Sequence, residues 1–460
     1  MGNNENTFYV NLYSDDYSLT SNEKIFNINF PTHSGSPIKE DVFYYICNGI
    51  SRNNVVIYNF AIPPTEYLTR WKTDNAGTSN DNQILLPLDS SGTYDFTVYW
   101  GDENSDHITA YDDAAITHTY GSAGTYDVII DGTCYGWRFN NGGDKLKILN
   151  ISNWGTGFRL GNLSGYFYGC ANLTVTALDI LDLTNTTKMD NAFKSCSSLT
   201  TAPTMTLWDT SNLLNTADMF RDAILFNQDI SSWNLGKDYY FINMFYNARL
   251  FNQNIGNWNM SNATNTASMF LGATVFNQDI SSWDVSKVIY MNSMFSGANS
   301  FNQDISGWDV SKVTNMSSMF RNAGSFNQDI SGWDVSGVRS MSNMFYGATS
   351  FNQNIGGVAK WDTGLVTNMT DMFTHANSFD QNIANFDVTA LTNATNMFRY
   401  ITLSTANYDA LLIGWEAQAV QDNVIFNGGN SKYTAGGAAA IARQNLIDNH
   451  TWTITDGGTA

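Results

Sequence analysis

Two ladders of acidic and amide side chains carry most of the potential chemistry in this sequence. One runs Asp209, Asn234, Asn259, Asp284, Asp309, Asp334, Asp362 and Asp387; the other runs Asp229, Asn254, Asp279, Asp304, Asp329, Asn354 and Asn382. Clustered carboxylates can supply the acid and base of glycoside hydrolysis. Oxygen ligands from successive copies can bridge calcium, and an Asp or Asn can close its own corner as an Asx turn. Where neighbouring copies pair as strands, equivalent residues come within about 5 Å, and stacked like charges are unfavourable unless capped, solvated or bridged by a cation. Corner capping is the primary reading. Calcium bridging would fall on Asp284, Asp309, Asp334 and Asp362, although the glycine-rich repeat GGxGxD does not accompany them. A polar ligand-facing strip along the first ladder is the third reading.

Other chemistry finds little support. His33, His107, His118, His375 and His450 are scattered, and no HExxH, GxSxG, phosphate-binding loop or GxGxxG context occurs. His118, in "THTY", reads as a structural residue. Catalytic residues are therefore expected to be none, and no cofactor other than calcium is indicated. Cys47, Cys134, Cys170 and Cys196 show no CxxC spacing. Cys170 and Cys196 share the slot that Ala223, Ala248, Ala273, Ala298, Ala323 and Ala348 fill later, so packing is expected there, with a cross-link between the two as the alternative.

The elements that position the ladders come from a repeat. Met-Phe pairs fall at 219/220, 244/245, 269/270, 294/295, 319/320, 344/345, 372/373 and 397/398, with a 25-residue period broken by one step of 28. Trp208, Trp233, Trp258, Trp283, Trp308, Trp333 and Trp361 keep the same phase, with Phe386 in the eighth place. The three extra residues lie between Ile355 and Trp361, which predicts a surface bulge. Within one copy, Ile305, Trp308 and Val310 predict a short strand, and Val313, Met316, Met319, Phe320 and Ala323 recur at helical spacing behind Ser311, a candidate N-cap. Such a unit cannot bury its own apolar stripe, so the copies must stack as a solenoid.

Upstream, Tyr94, Phe96, Val98 and Trp100, then Thr117 and Thr119, then Tyr126, Val128 and Ile130 alternate as strands of a small β-sandwich. Pro63-Pro64 and the polar "TDNAGTSNDNQ" read as a linker. Downstream, "NYDALLIGWEAQAV" and residues 435–450 are the best helix candidates and suit a terminal cap. The expected fold is mainly β with short helices: a β-rich attachment module at 1–65, a sandwich at 66–140, an α/β solenoid at 141–405 and a capping segment at 406–460.

Composition sets the partner classes. Only 14% of the 460 residues are charged and the net charge is −20, which opposes nucleic-acid binding and docking on anionic lipid. The N-terminus lacks the pattern of a secretory signal, and no 18-residue apolar stretch suggests membrane insertion.

The unit "FNQDISGWDVSKVTNMSSMF" closely resembles the repeat of BspA-like leucine-rich-repeat surface proteins, the group also known from mycoplasma lipoproteins, over roughly residues 145–405. "WGDENSD…THTYGSAGTYDV" resembles the polycystic-kidney-disease-like sandwich, with Asp102-Glu103 where that family often has Asp-Gly. The resemblance implies a surface or secreted interaction protein. Neither a signal peptide nor a sorting tail accompanies it, which favours a non-enzymatic virion surface or fibre protein. Such a protein would recognise a host surface glycan or protein, attach to other virion proteins through residues 1–65, and assemble as a homo-oligomer if it follows fibres. A bacterial cell-surface or secreted adhesin is the second expectation, and a tailspike-like polysaccharide-degrading enzyme the third.

Overall fold

A computed structural model describes residues 65–356 and 361–460. The proposed attachment module and most of the "GGVAK" bulge therefore lie outside the described residues. The contacts divide the chain at Pro63/Pro64, and every described residue belongs to the second unit.

The described chain opens with strands β1 (Tyr67–Lys72), β2 (Gln83–Leu85), β3 (Leu88–Tyr99), β4 (Ser105–Ile108), β5 (Thr117–Thr119) and β6 (Thr125–Trp137). Strands β7 (Ile148–Asn153), β8 (Phe158–Arg159) and β9 (Thr174–Val175) come next. One sheet takes the order β4-β3-β6-β1-β7-β9, with β8 beside β6, while β2 and β5 form a separate pair. Period-2 burial of Tyr94, Phe96 and Val98 on β3 matches the alternation in the sequence. On β5 the parity is the reverse of that expected: Thr117 and Thr119 are exposed and His118 is partly covered. His118 stacks on Trp100 and bonds Asp102, so the imidazole is held from two sides.

Pairing changes character where the array begins. Strands up to β7 pair antiparallel, whereas β7 pairs parallel with β9 and β6 with β8. The sheet thus runs without a break across the 140/141 position into the first copies. The polar stretch after Pro64 is not a linker. It folds over a buried ion pair in which Lys147 Nζ donates to Ser79 O and Oγ, Asn80 O and Gln83 O, while Asp144 accepts from the N–H groups of Thr78, Ser79 and Leu85. Neither side chain has any exposure, and this dense bonding offsets the cost of burying two charges.

From about residue 161 the chain is a repeat array with a continuous aromatic interior. Phe320 stacks on Phe295 and Phe345 in the neighbouring copies at 5.8 Å each and on Phe326 of its own run at 3.9 Å, and Trp283 stacks on Trp308 at 6.3 Å. Phe386 takes the eighth Trp place, 6.2 Å from Trp361.

The expected strand and helix within each copy do not form. Trp308 N–H donates back to Ile305 O and Val313 N–H to Val310 O, so Ile305 to Val313 makes two successive turns. Extended contact between copies shrinks to single parallel bridges, Tyr240 to Asn265 to Tyr290 to Asn315 to Ser340. The helical spacing of Met316, Met319, Phe320 and Ala323 arises otherwise. Ser318 (φ 59°) and Asn322 (φ 56°) are left-handed, which interrupts any α-helix. The N–H groups of Met319, Arg321 and Ala323 turn back three residues, while those of Met316, Ser318, Phe320 and Asn322 donate to the next copy at Ser340, Ser342, Met344 and Tyr346.

Only two α-helices occur among the described residues, α1 (Thr405–Glu416) and α2 (Ala438–His450), both in the C-terminal segment. They close the array with strands β10 (Ile425–Asn427) and β11 (Thr453–Thr455), which pair parallel. Strand β10 accepts at Ile425 O and Asn427 O from Ala394 and Phe398, the bonds a further copy would make. Trp415 Nε1 of α1 donates to Ile383 O as the repeat tryptophans do. The described fold is mainly β with no closed barrel, and no described helix is long and apolar enough to cross a membrane.

Candidate functional site

Every member of the first ladder closes its own corner. Oδ1 of Asp209, Asn234, Asn259, Asp284, Asp309, Asp334, Asp362 and Asp387 accepts the N–H two residues on, at 2.9–3.2 Å. At Asp209, Asp309, Asp334 and Asp387 the nearby Ser or Thr hydroxyl adds a second bond. In the second ladder Asp229, Asn254, Asp279, Asp304, Asp329 and Asn382 do the same. The hydroxyl and N–H of Ser211 and Ser311 hold Asp209 and Asp309 below the usual carboxylate range; the Ser281 and Ser306 N–H groups lead the same effect at Asp279 and Asp304. Asn in place of Asp at 234 and 259 makes the same turn, so the charge is dispensable to it.

Ser311, the candidate N-cap, is a donor to Asp309 and caps no helix. Asn302 and Gln303 tie copies together. Asn302 N–H donates to Asn277 Oδ1, and Gln303 Nε2 reaches both Asn277 O and Oδ1. Asn302 Oδ1 in turn accepts from Asn327 N–H and Gln328 Nε2. From Trp233 to Trp361 each repeat tryptophan also reaches back to the preceding turn of the array, Trp333 Nε1 donating to Ile305 O at 3.1 Å, whereas Trp208 Nε1 has no such partner. These side-chain bonds supply between copies what a strand ladder would supply from the backbone.

The left-handed positions explain a column pattern that the search for periodic apolar residues passes over. Residues 218, 243, 268, 293, 318 and 343 are Asp, Asn or Ser, and 222, 247, 272, 297, 322 and 347 are Asp, Asn or Gly, all with positive φ. Asp, Asn and Gly are the residue types that tolerate this conformation, and Ser268, Ser293 and Ser318 adopt it as well. At Gly272 and Gly347 a Cβ would also lie 2.3 Å from the Asn Oδ1 of the preceding copy.

Other candidates resolve into packing. Cys170 and Cys196 are free, fully buried thiols pushed up in pKa by burial. Asp238 is 1% exposed, in the slot filled by Val288, Val313 and Val338 elsewhere. It accepts from Thr216 Oγ1 and Tyr240 N–H, and burial pushes it up to about 6. No group of three or more His, Cys, Asp or Glu is assembled for a metal among the described residues, the calcium candidates Asp284, Asp309, Asp334 and Asp362 included. A hollow of about 150 Å³ against β1 and β6 is occupied at its rim by the Arg70–Asp127 ion pair.

Outward beside the exposed ladder residues lie columns in which the copies disagree. Arg321 and Tyr346, which occupy one column, are stacked on each other at 4.7 Å, as are Arg221 and Tyr246 at 4.5 Å. Beside the bridge column, Tyr239, Tyr240, Ile289 and Tyr290 are 38–47% exposed, with Lys237 and Lys287 exposed next to them. The alternation of "KDYY" and "KVIY" with "NATN" was the signal for this patch, obscured by the stronger period of the core.

A mainly-β repeat protein with an aromatic interior and self-capping corners is the class these features define. The chain belongs to the family described as "Mycoplasma protein of unknown function, DUF285", which matches residues 161–274, 241–358 and 330–434, together more than half of its length. No curated protein and no solved structure matches it.

Proposed function

We propose that this is a non-enzymatic structural and binding protein whose array is a leucine-rich-repeat-like solenoid of the BspA-like kind, carried behind a polycystic-kidney-disease-like β domain. Its place is the surface of a virion, as a fibre or decoration protein that recognises the host envelope. One observation carries the reading: the repeated polar residues are consumed by corners and by bonds between copies, so the variable outward columns are what the array has left to offer a partner. The carboxylates lie one per corner with an oxygen already engaged, which is no arrangement for paired acid and base work.

Gold-labelled antibody against the chain, applied to particles and to producing cells, tests the location. Label on the particle exterior is expected; label confined to the cell envelope would turn the reading to an adhesin. Incubation with host polysaccharides should leave their chain length unchanged, and shortening would overturn the non-enzymatic assignment.

A further inference from the structure

We propose that residues 237–240 and 287–290 form a binding strip for an extended β-linked polysaccharide with an anionic group on alternate sugars. This rests on the host-surface reading above and names its ligand class. The bridges Tyr240 to Asn265 to Tyr290 place the two tyrosines two copies apart on one column. At the spacing of parallel bridged chains, two copies come to about 9.6 Å, the length of a disaccharide in an extended chain. The intervening copy has Thr264 and Asn265, short polar residues that leave the tyrosine faces open.

Within the strip Lys237 and Lys287 flank Asn262, and Lys312 continues the column in the next copy. Lys237 Nζ is held by Asn212 Oδ1 at 3.0 Å and Lys287 Nζ by Asn262 Oδ1 at 2.8 Å, each through one of its three donors. Each lysine is thus tied to the copy before it with donors to spare. Asn262 is itself fixed through its Nδ2 to Gly236 O. The acidic ladder is neutral at Asn234 and Asn259 and acidic again at Asp284, beside Lys287, while Asp238 is turned inward to Thr216. In a chain of net charge −20, this stretch of the ladder carries less negative charge than the copies that follow it. Aromatic faces at 45% and 47% exposure supply the apolar platform on which sugar rings stack.

The test uses the full chain and a soluble polymer of alternating β-linked glucuronate and N-acetylglucosamine, with its carboxyl-reduced form as comparison, measured by calorimetry. The parent should bind the acidic polymer, more weakly as salt rises, and about tenfold better than the reduced one. Tyr240→Asn with Tyr290→Asn, residues the same column already carries at 265 and 315, should weaken binding about tenfold or more with the unfolding temperature unchanged. Leu178→Ser, exposed on a distant copy, should change nothing. Equal affinity for the reduced polymer, or binding indifferent to both tyrosines, overturns the strip. If the parent ignores both polymers yet adheres to host envelopes, the strip falls and the broader reading stands; if it adheres to no surface, both fall.

Discussion

The β1–β9 region and the repeat array hold neighbouring chain segments together by different means. In the first, β3 and β6 pair over Thr93 to Tyr99 against Tyr135 to Ile129, and the backbone bonds themselves. In the second, extended pairing is one residue wide, and Asn302, Gln303 and Trp308 complete the ladder with side chains. A strand accepts many sequences because its bonds come from the backbone. A copy of the array bonds the next through the backbone around Met316 to Asn322, but on its Phe-to-Trp side the bonds come from Asn, Gln and Trp, which is a physical reason for those residues to repeat.

The largest test of this contrast lies at the junction. Lys147→Ala leaves Asp144 buried without its cation and should cost about 3–5 kcal/mol, seen as a large fall in the denaturant midpoint that loosens residues 73–85 in hydrogen exchange. Next comes Asp238, the one array member with a buried carboxyl in a core slot. Its folded pKa lies above the unfolded value, so it contributes most when protonated, and that contribution falls as pH rises from about 4 to about 6. Asp238→Asn should remove this slope and gain about 1–3 kcal/mol at pH 7, read by thermal unfolding across the range. The corner carboxylates act in the opposite sense and lower: their folded pKa values are depressed, so their contribution is present above about 4 and is lost below it. Smaller still, Asn302→Ala strips Asn327 N–H and Gln328 Nε2 of a shared acceptor and should cost about 1–2 kcal/mol, with exchange raised at residues 327–328 and little changed on β3.

Much of this was legible before any coordinates. Phe, Trp, Ile and Met keep one phase, so the core and its stacking could be read from spacing alone, as could the helices of the cap. The path of the backbone could not. Met316, Met319 and Phe320 mimic helical spacing because left-handed residues at 318 and 322 return the chain inward at similar intervals, and a periodicity argument cannot distinguish the two. The Lys147–Asp144 plug was hidden because its partners come from about 65 residues upstream in a stretch that looks like a linker. The corner turns were readable because an Asx turn is local; the Asn–Gln ladder was not, because its partners sit a whole copy away.

The central claim is that the repeated ladders build the array and the residues that differ between copies recognise its partner. Adhesion of full-length variants to host envelopes tests it most directly, comparing Asp284→Asn/Asp309→Asn/Asp334→Asn with Tyr240→Asn/Tyr290→Asn. The account predicts that the ladder variant, whose corners Asn can close as at 234 and 259, adheres like the parent, while the tyrosine variant loses adhesion at unchanged unfolding temperature. Loss of adhesion in the ladder variant, with the tyrosine variant unaffected, would contradict it.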